Sequence, residues 1–166
     1  MTVKATTQLK SKNDGKGIQE LEARTQSAGT KIGFIKGLGI HPGGSKNSPY
    51  KDIAGTATIS EIAAYNEFGT ETIPERPFLR TTIKENTPEY SRIVKEFLKK
   101  IVNGEMKADK AVKILAEKAV ADVKNKIDSI SEPANTELTK EWKGSSNPLI
   151  DTGLMRGSVS WEMVKK

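Results

Sequence analysis

The sequence predicts an α+β domain, and two observations carry that expectation. Two long stretches place apolar residues at helical spacing and are joined by a tight link. Two short β-rich segments lie far apart in the chain, and neither has a neighbouring strand to pair with. With 166 residues there is room for one domain and a tail, expected as a single folded unit over 18–166 preceded by an arm over 1–17. Hydrophobic residues make up 35% and charged residues 29%, so the core should be modest and the solvated surface large.

The arm is polar, holds Gly15 and Gly17, and shows no periodicity; Lys4, Lys10, Lys12 and Lys16 meet only Asp14. Such a composition predicts a flexible basic tail. Ile18 to Ala28 predicts a short helix with Leu21, Thr25 and Ala28 on one side, ended by Gly29. Lys31 to Lys36 is rich in β-formers and bounded by glycines, the pattern of a strand. Residues 37–55 hold five glycines and two prolines and predict a long loop.

Thr58-Ile59-Ser60-Glu61 is a capping box, in which hydroxyl and carboxylate each take a backbone amide of the other. It opens a helix over 59–68 that ends at Gly69, where a left-handed C-cap belongs. Thr87-Pro88 predicts a helix start. Tyr90, Ile93, Val94, Phe97, Leu98, Ile101 and Val102 then form its apolar stripe, and Asn103-Gly104 stops it. The next helix is expected from Lys107 to Ile130, burying Ala108, Ala111, Val112, Leu115, Ala119, Val123 and Ile127. The short link makes these two helices antiparallel neighbours. Asn135 to Trp142 predicts one or two helical turns. Gly157 to Val164 alternates as a strand, and its partner should be the strand at 31–36, because a lone strand leaves its backbone groups unpaired.

The residues for chemistry are scarce. There is no cysteine for a disulfide or a thiolate metal site. His41 is the one histidine and lies in the glycine-rich loop, a plain loop position. Neither Gly37-Leu38-Gly39-Ile40-His41-Pro42-Gly43 nor Gly43-Gly44-Ser45-Lys46 has the glycine order and following helix of a nucleotide loop. Glu67, Glu71 and Glu75 read as solvated surface, and Trp142 and Trp161 as core anchors. The chain is therefore expected to be no enzyme and to hold no cofactor or metal. No apolar run approaches the length that spans a bilayer, and residues 1–16 lack a secretory stretch. Net charge is +6, spread as about +2, +1, +1, +2 and zero over residues 1–30, 31–70, 71–105, 106–128 and 129–166. An even spread argues against a dedicated nucleic-acid face, although the total charge and the basic arm keep a nucleic-acid-binding module as the alternative reading.

Two elements have a definite shape. Ile62-Ala63-Ala64-Tyr65-Asn66-Glu67-Phe68-Gly69-Thr70 is followed by Ile73-Pro74-Glu75-Arg76-Pro77-Phe78-Leu79-Arg80, and Pro148-Leu149-Ile150-Asp151-Thr152-Gly153-Leu154-Met155-Arg156-Gly157-Ser158 comes some seventy residues later. In that order, over roughly residues 31–164, they resemble the tail-completion and neck proteins of long-tailed bacteriophages, including the minor tail protein Z-like and virion morphogenesis groups. The resemblance implies a small antiparallel β-sheet packed against two longer helices. It also implies a structural virion protein: a ring, usually six-fold, at the head-proximal end of the tail or in the neck. Its partners would be other copies of itself, tail terminator or tube proteins and head connector proteins, with DNA in the lumen as a further contact and no membrane. The protein would be made in the host cytoplasm and end in the virion.

Physical reasoning gives the two elements roles. Pro74 and Pro77 fix their own backbone angles and push Ile73 and Arg76 to extended geometry, so the loop loses little entropy on docking. Arg76 and Arg80 offer forked donors to carboxylates of a subunit or partner, and Phe78 can plug a groove in the fold or in a neighbour. Asp151 can accept from the amides of Thr152 or Gly153 in an Asx turn that aims Leu154 inward. The plainer reading is that both elements only hold the fold together. On the docking reading, Arg76→Ala should leave the isolated domain folded and impair assembly, whereas Phe97→Ala in the long helix should cost about 3–5 kcal/mol.

Overall fold

The computed structural model describes residues 29–34 and 57–164. The basic arm, the expected helix at 18–28 and the 37–55 loop with His41 lie outside the described residues. The described chain runs through strand β1 (Gly29–Gly33), helices α1 (Ile59–Phe68), α2 (Leu79–Val102), α3 (Ala108–Ser129), α4 (Glu137–Lys143) and α5 (Leu154–Gly157), then strand β2 (Ser160–Val164). This is the α+β class expected: a two-stranded antiparallel sheet with two longer antiparallel helices.

The two lone strands do pair. Gly29 stands opposite Val164 and Gly33 opposite Ser160, and the Thr30 hydroxyl donates to the Glu162 carbonyl at 3.1 Å. Strand β2 starts three residues later than the alternation suggested, because Leu154–Gly157 form a helical turn first. A two-stranded sheet is weak alone; here both strands pack on α3.

Helix α1 opens on the expected capping box. The Glu61 amide donates to the Thr58 hydroxyl at 3.2 Å, and the Thr58 amide to the Glu61 carboxylate at 2.7 Å. Those bonds to the charged form hold the Glu61 carboxyl below its ordinary range. Gly69 is the C-cap, with the positive φ expected, 73°, but a ψ of 169° that departs from left-handed helical geometry.

The expected start of α2 is wrong. The helix begins nine residues earlier than Pro88, at Leu79, and carries Pro88 in its interior. Pro88 cannot donate to the carbonyl of Lys84, but both residues are exposed, where water can satisfy that carbonyl. Before the proline, Phe78, Leu79 and Thr82 anchor the helix in the core; after it, the stripe from Tyr90 to Ile101 runs along α3. Packing on both sides overrides the local break.

The core sits at one end of the α2–α3 hairpin. It gathers Ile59, Ala63, Phe78, Val123, Ile127, Leu149, Met155 and Val159 from five segments, and the Phe34 ring meets Phe78 edge-on at 6.1 Å. Partway along, the Tyr90 hydroxyl donates to Asp122 at 2.7 Å, and Lys118 pairs with Asp122 and Glu89. Burial and the Asp122 carboxylate push the Tyr90 hydroxyl above its usual range. Toward the far tip, among the described residues, the helices pack chiefly on each other. Ile101, Ala111 and Ala116 are buried, but Phe97 and Leu98 are half-exposed and Val102 is exposed, so the expected stripe is covered only in part. Trp142 and Trp161 are likewise half-buried and lie outside the buried core cluster, not the core anchors expected. No helix among the described residues is long and apolar enough to cross a membrane.

Candidate functional site

The two motif-bearing segments meet. Residues 66–80 leave α1, turn sharply and enter α2; residues 147–158 pass beneath them through α5. The turn needs Gly69: an added Cβ would stand 3.1 Å from the Glu75 amide nitrogen and 3.2 Å from the Ile73 carbonyl oxygen. The Thr70 amide donates to that same carbonyl at 2.8 Å, and the Arg76 amide to the Asn66 carbonyl at 2.7 Å. The backbone thus folds back on the end of α1.

Glu67 then closes the turn onto α2. Its carboxylate accepts from the amides of Leu79 at 2.8 Å and Arg80 at 2.9 Å. These are the donors a helix start leaves open, and the negative charge also suits the helix dipole. Only 4% of Glu67 is exposed, so the solvated reading of this residue is overturned. Helix α2 has no capping side chain of its own at Phe78, and a buried carboxylate from the preceding helix takes that place.

Arg76 and Phe78 are not available for docking another molecule. Arg76 is 4% exposed and Phe78 1%. The Arg76 Nε donates to the Pro133 carbonyl at 2.7 Å, one terminal nitrogen to Asn135 Oδ1 at 3.1 Å and the other to Asn66 Oδ1 at 3.4 Å. One guanidinium therefore joins the end of α1, its own loop and the turn before α4. Burial lowers its pKa, and the four carbonyl-type acceptors around it compensate for lost water. Phe78 fills the core of its own chain. The loop residues left outward are Pro74, Glu75 and Arg80, the last two ion-paired with each other, while Pro77 is half-buried. Glu71 is exposed, as the sequence suggested.

The second segment is organised by Asn147, which sequence reasoning missed. Its Oδ1 accepts from the amides of Leu149 at 2.8 Å and Ile150 at 3.1 Å, while its Nδ2 donates to the last carbonyls of α3, those of Ile127 and Asp128. The Asx turn expected at Asp151 is therefore made four residues earlier. Asp151 Oδ1 is buried without a hydrogen-bond partner, and so is Asn135 Nδ2. Gly153 does hold a left-handed turn, φ 77° and ψ −2°, immediately before α5. It sends Met155 into the core and leaves Leu154 exposed, the reverse of the inward Leu154 expected. Arg156 locks α5 to the end of α3 through a two-pronged bond to Asp128 at 2.7 and 2.8 Å.

Between the two segments lies a cleft of about 300 Å³. Ile62, Ile73, Pro148 and Leu154 supply apolar wall, and Arg76, Lys143 and Asp151 supply charge. Lys143 donates to the carbonyls of Asn147 and Pro148 at 3.0 and 3.1 Å. Burial pulls its ammonium below the ordinary lysine range, and the charge of Asp151 opposes that pull. No group of three or more histidine, cysteine, aspartate or glutamate side chains with metal-binding geometry occurs among the described residues. What the arrangement offers is a shaped, partly charged recess beside an outward loop. A scan of protein-family models, a search of curated proteins and a search of solved structures each return no match to this chain.

Proposed function

We propose that this chain is a structural virion protein that assembles as a ring at the head-proximal end of a long phage tail, completing the tail and joining it to the head. The ordered motif pair carries the reading. Segments some seventy residues apart in sequence are built against each other around one cleft, with rigid outward loop surface beside it. Geometry of this kind suits a part that meets neighbours at fixed angles. Around it, Arg76, Glu67 and Asn147 are spent on backbone groups and helix ends, which supports a role in positioning for those three side chains. The test is removal of the gene from its phage. Tails and filled heads that accumulate unjoined, and are restored by supplying the protein, support the reading; heads and tails that join normally without it defeat it.

A second reading has one observation in its favour. The turn between α2 and α3 gathers Lys95, Lys99, Lys100, Lys107, Lys110 and Lys113, all exposed, against Glu96, Glu105 and Asp109. That tip would suit a nucleic-acid backbone, with binding that falls steeply as salt rises. Absence of DNA retardation at low salt eliminates it.

A further inference from the structure

We propose that Lys95, Lys99, Lys100, Lys107 and Lys110, at the turn between α2 and α3, form a site for the phosphate backbone of duplex DNA that binds without regard to base sequence. This site rests on the second reading above, sharpened to one place and one mode of binding, and it needs no ring.

Along the chain the charge looks even, because a break at residue 105 divides this segment. In space it is not even. Residues 92–113 carry seven lysines and arginines against three acids, a net of +4, while the other described residues carry ten against fourteen, a net of −4. The tip of the hairpin and the rest of the described domain therefore have opposite sign.

The cations at the tip are also the ones left unengaged. Of the ten elsewhere among the described residues, eight make an ion pair or donate to carbonyls, and Lys84 and Lys124 do not. At the tip only Arg92 and Lys113 pair, with Glu96 and Glu117. The other five make no ion pair among the described residues and are exposed. The turn holds them close: the Glu105 amide donates to the Lys100 carbonyl at 2.8 Å and the Gly104 amide to the Ile101 carbonyl at 3.0 Å. Packed helices have axes about 8–10 Å apart, near the Debye length of about 8 Å at physiological salt, so these charges repel one another. The helix dipole accounts for Lys99 and Lys100, in the last turn of α2. It opposes Lys107 and Lys110, at the cap and first turn of α3, where Asp109 is the only acid. Stability of the domain alone would favour carboxylates there.

The side chains at the tip select the mode of binding. Reading bases takes forked or amide groups at base edges, and holding single strands takes aromatic platforms. In residues 92–113 the one arginine, Arg92, is bound to Glu96, and the one amide, Asn103, to Glu105. Phe97, the one aromatic there, is half-buried. What remains is ammonium charge, which contacts phosphate and carries no sequence information. Duplex DNA presents one charge per about 1.7 Å of its axis, so a hairpin end two helix diameters wide, about 20 Å, can engage all five.

The test uses the full chain and labelled 30-base-pair duplexes of two unrelated sequences, titrated from 50 to 200 mM salt. Each lysine on a phosphate adds about 0.9 to the slope of log affinity against log salt. The expected result is equal affinity for both duplexes, falling at least about 250-fold over that range. The quadruple variant Lys99→Gln, Lys100→Gln, Lys107→Gln and Lys110→Gln should melt as the parent does and lose about four from the slope. If it fails to fold, Lys107→Gln with Lys110→Gln removes only charges that the dipole opposes, and should lose about two. An unchanged slope in the folded variant, a tenfold preference for one sequence, or equal affinity for a single strand of the same length overturns the proposal. Loss of binding on Lys4→Gln, Lys10→Gln, Lys12→Gln and Lys16→Gln, with the tip variant unaffected, would leave the nucleic-acid reading standing and this site disproved. No binding by the parent at 50 mM salt removes both.

Discussion

The two ends of the long helical hairpin are held by different physics. At the core end, α1, the loop over 69–78 and the segment 147–159 are fastened by particular bonds: Glu67 to two amides, Arg76 to the end of α1 and the turn before α4, Asn147 to a helix end and its own turn. At the tip, α2 and α3 meet through a repeating apolar stripe, with alanines on α3 allowing close approach and large side chains on α2 half in water. The first region tolerates few exchanges, because each group removed leaves a buried partner bare. The second depends on summed area, so each residue counts for little.

That contrast can be broken by substitution. The largest effect is expected for Phe78→Ala, with loss of about 3–5 kcal/mol in denaturant unfolding, since the ring is buried among five segments. Arg76→Ala should follow at about 3 kcal/mol, because acceptors at the end of α1 and in the turn before α4 lose their donor together. Arg76→Lys should recover only part of that, as an ammonium cannot span the fork. This outcome would replace the docking expectation, in which the isolated domain melts as before. Phe97→Ala should cost about 1–2 kcal/mol, well under the figure expected for a core position, as the ring is only half-buried. A loss equal to that of Phe78→Ala would mean the tip is as tightly built as the core, and the contrast would fall.

The smallest effect concerns the cap of α1. Thr58→Ala should cost about 1 kcal/mol. The depressed pKa of Glu61 means its contribution is present above the usual carboxylate range and lost as pH falls through the lowered value. Protection of the α1 amides, measured against their intrinsic exchange rate, should therefore fall below about pH 4, where unfolded glutamates protonate, and Glu61→Gln should remove that pH dependence.

What could be read from the sequence follows the same division. Helical spacing gave α3 nearly to the residue and the strand pairing between distant segments, because periodicity and unpaired backbone are properties of the chain itself. The capping box over 58–61 was legible because its partners are three residues apart. The cap that Glu67 makes and the hold of Asn147 on the end of α3 were not, since those partners lie 12 to 20 residues away; the local turn from Asn147 to Leu149 and Ile150 was passed over for Asp151, and the proline at 88 gave a louder signal than the true start of α2. For the candidate site, the outline of the two segments was visible, but which side of each faced inward was not. Arg76 and Phe78, the most conspicuous members of the loop, proved to be internal. Phe68, which the sequence offered only as part of a helix end, is the one left outside.

The pairing of β1 with β2 has a consequence for how the molecule is made. The Thr30 hydroxyl and its acceptor at Glu162 are 132 positions apart. A ribosome adding about 5–20 residues per second leaves the first strand waiting roughly 7–26 s for its mate. The hairpin, whose contacts are local, can form long before then. A nascent chain therefore carries an open strand edge until Ser160–Val164 emerge, and that interval is when other newly made copies could pair with it.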